Sequence, residues 1–408
     1  MTLDESQLKR LSAYVTERSK YVIETFGPRP PGSEAEHRAQ ELVREDLSAC
    51  CDGEVVIDPF PVAPKAFMSA PRVAGIFMLM SMVAYWFSAC AAITLSALAI
   101  LVIVQEIGRY KLFLDPFFLT RTSYNVLGRQ RPRGEMKRRI VLNGHPDAAY
   151  EWRYHFLSPR WFPAVVAYCA VALAFKVLID TGFFFLGDGW AGGYHGIWFA
   201  AGLLQFVFAP AGLIAITFTS FKQVAPGAND NLSGTFLATG IAKALRETGV
   251  QLENTELAVL ITGSEEAGLR GAKAFVRLYP HEFRDVETIV IALDTICDLD
   301  HLYVYNRDLN GTVSHDPATC QLLHNAGKAC GRELPSGTVF LGSSDATAFT
   351  QAGIRAAALC AMDPAPADYY HNRRDNWDRL NPESIEATAR ILIEAIRQYD
   401  ENGLPQVP

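Results

Sequence analysis

The chain has no Lys/Arg-rich block, and its formal net charge is -7, so a nucleic-acid-binding surface is not expected. Its eight cysteines form no CxxC pair and have no regular spacing. That pattern fits reduced thiols in a reducing compartment. The opening residues, Met1-Thr2-Leu3-Asp4-Glu5-Ser6-Gln7, lack both the basic stretch and the apolar stretch of a secretory signal, so no such signal is expected there. Internal repeats and low-complexity tracts are also missing. The 408 residues suffice for a large core.

Two stretches hold little or no charge. From Val73 to Gln105 no charged residue occurs, a run longer than the roughly 20 apolar residues that one membrane span needs. It is expected to form one tilted helix or a tight hairpin of two. Trp161 to Ile179 is apolar apart from Lys176, Asp180 to Gly193 is Gly-rich, and Gly196 to Phe218 is again free of charge. The insertion 161–218 therefore reads as a second helical hairpin, with Lys176 near one end and Asp180 four residues on. Lys65, Arg72, Arg109, Lys111, Arg121, Arg153, Arg160 and Lys222 flank the two insertions, whereas the loop inside the second holds Asp180 and Asp188 without Lys or Arg. The positive-inside rule then expects an integral protein of the cytoplasmic membrane, in contact with lipid, whose remaining segments lie in the cytoplasm. The alternative is a hydrophobic interface with a second copy.

The rest of the chain alternates strands and helices. Residues 5–26 show a helical period (Leu8, Leu11, Val15, Val22), and Ser33-Glu34-Ala35-Glu36 resembles a capping box that opens a helix to Ser48. Strands are expected at Glu54–Ile57, Tyr124–Gly128, Arg139–Leu142, Glu256–Ile261, Thr288–Leu293, Leu302–Tyr305, Thr338–Leu341 and Ala356–Ala361. Helices are expected at Ala267–Tyr279 and Pro382–Asn402. This order predicts an α/β fold with a largely parallel sheet.

Chemistry-bearing residues collect at the ends of those strands. His145-Pro146-Asp147 follows an apolar strand, and Asp147 is placed to fix the tautomer of His145. Asp230 lies in a Gly/Asn-rich turn, where it can be a helix N-cap or a bridging carboxylate. Glu265-Glu266 follows a buried strand and a tight turn, and two adjacent carboxylates can divide metal binding from general-base work. Asp294 ends an all-apolar strand, and His371 sits in a polar loop before the last helix. The other histidines (His37, His155, His195, His281, His301, His315, His324) lack a matching carboxylate context and read as surface or core residues. Two histidines, three carboxylates and one spare carboxylate suit a pair of divalent ions such as zinc.

In this order, His145-Pro146-Asp147, Gly227-Ala228-Asn229-Asp230-Asn231-Leu232-Ser233-Gly234, Glu265-Glu266-Ala267-Gly268-Leu269-Arg270-Gly271, Asp294 and Tyr370-His371-Asn372-Arg373-Arg374-Asp375 resemble the di-zinc aminopeptidase family. That family includes leucyl-type aminopeptidases, glutamate carboxypeptidases and glutaminyl cyclase relatives. Phe26-Gly27-Pro28-Arg29-Pro30-Pro31-Gly32-Ser33 resembles the family's N-terminal stretch. The resemblance implies a single zinc-exopeptidase-like domain over residues 1–408, with a mixed, mainly parallel sheet between helices, interrupted by the insertions 73–105 and 161–218. It implies two Zn²⁺ per chain: Asp230 bridging, His145 and Asp294 completing one ion, Glu266 and His371 the other. Glu265 would be general base and acid, and Asp147 would orient His145. Where family members often carry Ser-Asp-His, this chain has Ser344-Asp345-Ala346. The function expected is a zinc-dependent aminopeptidase anchored in the membrane and acting on a peptide or small amide. The alternatives are an amidase or cyclase on a small amide, or a receptor-like relative without catalysis.

Overall fold

A computed structural model describes residues 3–187, 196–339, 341–365 and 367–407. The chain divides into two compact units, one of residues 1–64, 120–149 and 224–408, the other of residues 65–119 and 150–223.

The first unit is built on an eight-stranded sheet. Its strands are β1 (Val56–Val62), β2 (Arg121–Gln130), β3 (Arg138–Gly144), β4 (Thr255–Ile261), β5 (Glu287–Ile296), β6 (Leu302–Tyr305), β7 (Ser336–Gly337) and β8 (Arg355–Ala361), in the order β1-β2-β4-β3-β5-β8-β6-β7. The central run β4-β3-β5-β8 is parallel. Antiparallel pairs join β1 to β2, β2 to β4 and β6 to β8. The central strands read as continuous apolar runs because both faces are covered. Ile140, Leu142, Val259, Ile291 and Leu293 point into one core with Leu8, Leu11 and Val15 of the helix Glu5–Phe26 and Ile385, Leu392 and Ile396 of the helix Pro382–Asn402. The helices Arg270–Leu278 and Ala346–Gln351 pack on the other face. The fold is the mixed, mainly parallel sheet between helices that the resemblance implies.

Several local expectations shift. Asp294 lies inside β5, which continues to Ile296. No strand forms at 338–339, and the edge strand is the two-residue Ser336–Gly337; Phe340 lies outside the described residues. Ser33 does cap the helix Glu34–Ser48 by accepting the Glu36 N–H, but the Glu36 side chain turns away from the cap and accepts the Gly32 and Ser264 N–H groups.

Among the described residues, the second unit holds four helices long and apolar enough to cross a membrane: Ala66–Ala84, Ala89–Gly108, Pro159–Leu186 and Ile197–Thr217. The first apolar run is thus a hairpin of two. Its helix starts at Ala66, before the charge-free window, because the Arg72 guanidinium finds the Ile216 and Thr219 carbonyls and tolerates a place inside the helix. The third helix also runs past the expected break at Asp180. Lys176 and Asp180 are both fully buried within it, paired at 2.5 Å, and Asp180 accepts the Ser81 hydroxyl at 2.6 Å. Lys176 therefore does not reach a helix end. Asp188 and His195 lie outside the described residues. Gly75 lets two helices approach closely: a Cβ there would stand 2.7 Å from the Gly212 carbonyl oxygen.

Candidate metal centre

Parallel register puts the carboxyl ends of three neighbouring strands side by side. Gly144 at the end of β3 pairs with Ile261 at the end of β4, and Asn143 pairs with Ala292 of β5. His145 leaves β3, the turn Thr262-Gly263-Ser264 carries Glu265 and Glu266 away from β4, and Asp294 stands on β5. This is the strand edge at which open α/β sheets carry their sites. The turn after β4 is tight because Gly263 lies against the Tyr124 carbonyl and the Ser123 hydroxyl; a Cβ would come within 2.4 Å of that carbonyl oxygen. Ser264 (φ 53°), Thr295 (φ 53°) and His371 (φ 50°) adopt left-handed backbone, each at or beside a site residue.

The two histidines and three carboxylates converge as two groups that share Asp230. His145, Asp230 and Asp294 form one, and Asp230, Glu266 and His371 the other, with the ligand atoms of each group all within 4.8 Å of one another. His145 Nε2 stands 3.5 Å from Asp230 Oδ1. His371 Nε2 stands 3.0 Å from Asp230 Oδ2 and 3.3 Å from Glu266 Oε2. Ligands about 2.0–2.1 Å from a tetrahedral zinc stand about 3.3–3.4 Å apart, so the spacing fits such an ion in each group. Among the described residues, both ring nitrogens of His145 and Glu266 Oε1 are buried without a hydrogen-bond partner, as Nε2 and Oε1 would be if they faced a metal. Glu265 belongs to neither group; its Oε2 lies 3.8 Å from His145 Nε2.

Electrostatics point the same way. Burial first, then neighbouring carboxylates, hold Glu265 and Glu266 well above the ordinary carboxylate range. Burial and the Asp230 charge push Asp294 up to about 7. Burial opposes protonation of His145, but Asp147, Asp294 and Asp230 outweigh it and raise the imidazole to about 10. Burial likewise opposes ionisation of Asp230, yet His371 and His145 keep it low. So much buried negative charge calls for cations. The residues present fit two divalent ions.

The frame around these side chains was only partly legible. Asp147 Oδ1 stands 3.3 Å from His145 Nδ1, and the carboxylate accepts the backbone N–H groups of Glu265 at 3.1 Å and Glu266 at 3.0 Å. One carboxylate therefore sets three site residues. Asp375 does the same for the Asp230 turn: it accepts the Asn229 and Asp230 N–H groups at 2.9 and 3.0 Å and the Asn229 amide at 2.9 Å. Asn231 ties that turn to β5 by donating to the Leu293 carbonyl at 2.7 Å. Arg29 is fully buried and donates to the carbonyls of Pro146, Pro226 and Gly227 at 2.8, 2.8 and 3.1 Å. Burial pulls its pKa down to about 10, while Asp147, Asp375 and Glu36 keep it charged. The only signal for Arg29 and Asp375 was their place in the family-like stretches. Asp345 accepts a short hydrogen bond from Thr262, and among charged groups it acts most strongly on Glu265. His315, read as lacking a carboxylate, lies buried 3.5 Å from Asp308.

Comparison with known proteins gives a family match and a shared fold. Residues 217–396 match peptidase family M28; the match includes Asp230, Glu265, Glu266, Asp294 and His371, and His145 and Asp147 precede it. No curated protein matches the chain. Among solved structures, an aminopeptidase from Aneurinibacillus sp. strain AM-1 shares 15% identity at a TM-score of 0.57, over 97% of this chain and 96% of that one. BSAP, a zinc aminopeptidase from Bacillus subtilis, shares 15% at 0.56, over 95% and 94%. A glutaminyl cyclase from an Acidobacteriales bacterium shares 14% at 0.54, over 96% and 95%. At these identities the likeness is one of fold. The resemblance read from the sequence therefore stands: from its last apolar helix to its closing helix the chain carries the pattern of peptidase family M28, on the fold shared by zinc aminopeptidases and glutaminyl cyclases.

Proposed function

We propose that the chain is a membrane-anchored di-zinc hydrolase, an aminopeptidase that removes N-terminal residues from peptides. The observation that carries this reading is the pair of ligand groups sharing Asp230, with Glu265 left over beside them. His145, Asp230 and Asp294 would hold one ion, and Asp230, Glu266 and His371 the other. When bound, the metal pair supplies Lewis acidity to the substrate carbonyl and to water. The chain supplies the rest. Asp147 Oδ1, 3.3 Å from Nδ1 of His145, would orient the ring so that Nε2 can ligate, and the carboxylate fixes the backbone of both glutamates. Glu265 accepts a proton from the attacking water as the new C–O bond forms. It then delivers that proton to the amine nitrogen as the C–N bond breaks. In the metal-free protein, burial and then the carboxylates around it raise its pKa, which favours uptake of a proton there.

The test is turnover by purified protein of aminoacyl anilides, short peptides, N-acyl amides and an N-terminal glutaminyl peptide, each with and without chelator. Release of the N-terminal residue that stops on chelation and returns with zinc supports the reading. Turnover indifferent to chelator refutes it. Ammonia release from the glutaminyl peptide without peptide cleavage would instead favour a cyclase, a reading kept in view by the fold shared with glutaminyl cyclases.

Anchoring rests on the second unit. Its four long apolar helices leave large apolar side chains such as Val83, Val171, Leu178 and Leu213 exposed, as a surface facing hydrocarbon does. Basic residues flank the end at which the chain enters and leaves this unit, so that end, and the hydrolase segments joined to it, are assigned to the cytoplasm.

A further inference from the structure

The end of the four-helix unit where its chain enters and leaves carries two ordered segments, residues 109–119 and 153–161. The first is pinned from inside. Glu106 is buried and accepts the Leu114 N–H at 2.5 Å, Leu114 is itself buried, and the buried Tyr110 ring packs on Phe67 at 4.6 Å. Yet this anchored segment turns Leu112, Phe117 and Leu119 outward, with Phe117 78% and Leu119 91% exposed. The second is pinned too. The Tyr154 hydroxyl meets Thr217 Oγ1 at 2.7 Å, and the Phe162 ring that follows is buried between Trp152 and Phe218. It nevertheless leaves Leu157 65% and Trp161 64% exposed.

Four cations stand exposed among these apolar side chains: Arg109, Lys111, Arg153 and Arg160. Of the acidic residues in the same neighbourhood, Glu106 and Glu151 are buried and Asp115 is half-buried, so the exposed charge is positive. The described turn Tyr85-Trp86-Phe87-Ser88, which joins the helices Ala66–Ala84 and Ala89–Gly108, holds no charged residue. Fixed aromatic and aliphatic side chains interleaved with cations, at the end where the chain enters and leaves a set of apolar helices, match a headgroup layer. The apolar groups enter the boundary of the acyl chains, while the guanidinium and ammonium groups meet phosphate. A contact with a second copy would not call for cations of one sign on both partners.

We infer that this collar binds the headgroups of anionic phospholipids. The inference rests on the reading of the four helices as membrane spans. The experiment uses the full chain, reconstituted in nanodiscs of equal parts phosphatidylcholine and phosphatidylglycerol. The lipid that remains bound after mild delipidation is counted by native mass spectrometry. The wild-type protein should retain several-fold more phosphatidylglycerol than phosphatidylcholine, with the excess falling as salt is raised. The quadruple variant R109Q/K111Q/R153Q/R160Q should retain the two equally. Each pair, R109Q/K111Q and R153Q/R160Q, should lose part of the preference, which keeps the test open should the quadruple variant misfold. A control at exposed cations of the other unit, K9Q/R10Q, should keep it all. Equal retention by the wild type, or an undiminished preference in the variants, overturns the proposal. An alkaline carbonate wash separates the two readings. A chain that stays in the membrane without lipid preference defeats the collar alone, and a chain that washes out defeats the spans and the collar together.

Discussion

Asp147→Asn is expected to be far more damaging than loss of one histidine's orienting partner. The carboxylate meets three groups: His145 Nδ1 and the Glu265 N–H at Oδ1, and the Glu266 N–H at Oδ2. An asparagine oxygen can serve the first two from the Oδ1 position. Its amide NH₂ then faces the Glu266 N–H, donor against donor, in a place where Asp147 is fully buried. One buried N–H left unsatisfied costs about 1–3 kcal/mol, or about one to two decades in an equilibrium. That cost falls on the backbone of a proposed ligand, Glu266, and the neutral amide also holds the His145 imidazole less firmly. Outer-shell substitutions typically cost about 10–100-fold in metal affinity, and the two routes together put this one at the upper end. Competition with a chromogenic chelator measures zinc affinity, and turnover at saturating zinc measures catalysis separately. Both should fall, with the fold retained by circular dichroism. Wild-type affinity and turnover in the variant would refute the role given to Asp147.

Glu265→Gln should cut turnover by about 10²–10⁴ while the zinc content of the purified protein stays at the wild-type level. Loss of metal would mean that Glu265 and Glu266 exchange roles. In the zinc-free protein, Asp294 and Asp375 are raised to about 7 and Asp345 to about 6, each chiefly by burial. A carboxyl raised in the fold contributes stability below its ordinary value that is lost as pH rises through the raised one. The melting temperature of the zinc-free protein should therefore fall between about pH 4 and about pH 7, and added zinc should recover most at the upper end. A melting temperature of the zinc-free form that rises over that range would contradict this. If the four helices cross a membrane, the chain should remain in the membrane fraction at alkaline pH. A label at Gly187 should then be reached from outside and one at Asn402 only from inside; release into the soluble fraction would favour burial against a second copy.

The candidate ligands are legible in the sequence because their chemistry is rare on apolar strands. His145 and Asp294 interrupt or follow runs of Ile, Val and Leu, where a polar side chain needs a reason to be. Most of the supporting residues gave no such signal. Arg29 sits in a Pro-rich turn that reads as a chain break, and its partners are backbone carbonyls at Pro146, Pro226 and Gly227, which leave no mark in side-chain pattern. Glu36 looks like half of a capping box, yet its partners lie at Ser123 and Ser264, far along the chain. Asp375 closes its hydrogen bonds with Asn229 and Asp230 across a similar distance. The sheet's parallel centre followed from alternating strands and helices, whereas its edge did not: a two-residue strand such as Ser336–Gly337 has no period to read. In the apolar insertions, charge marked helix ends wrongly wherever a charge found a partner inside, as Arg72 and Asp180 do.

The central claim, a pair of ions sharing one carboxylate, is tested most directly by zinc stoichiometry. Elemental analysis of the purified chain should give about two zinc ions per chain. Because Asp230 stands in both ligand groups, Asp230→Ala should lower that figure for both ions, whereas Asp294→Ala should lower it for one. A zinc-free wild type after loading and desalting, or an Asp230→Ala variant that still holds two ions, would contradict the account.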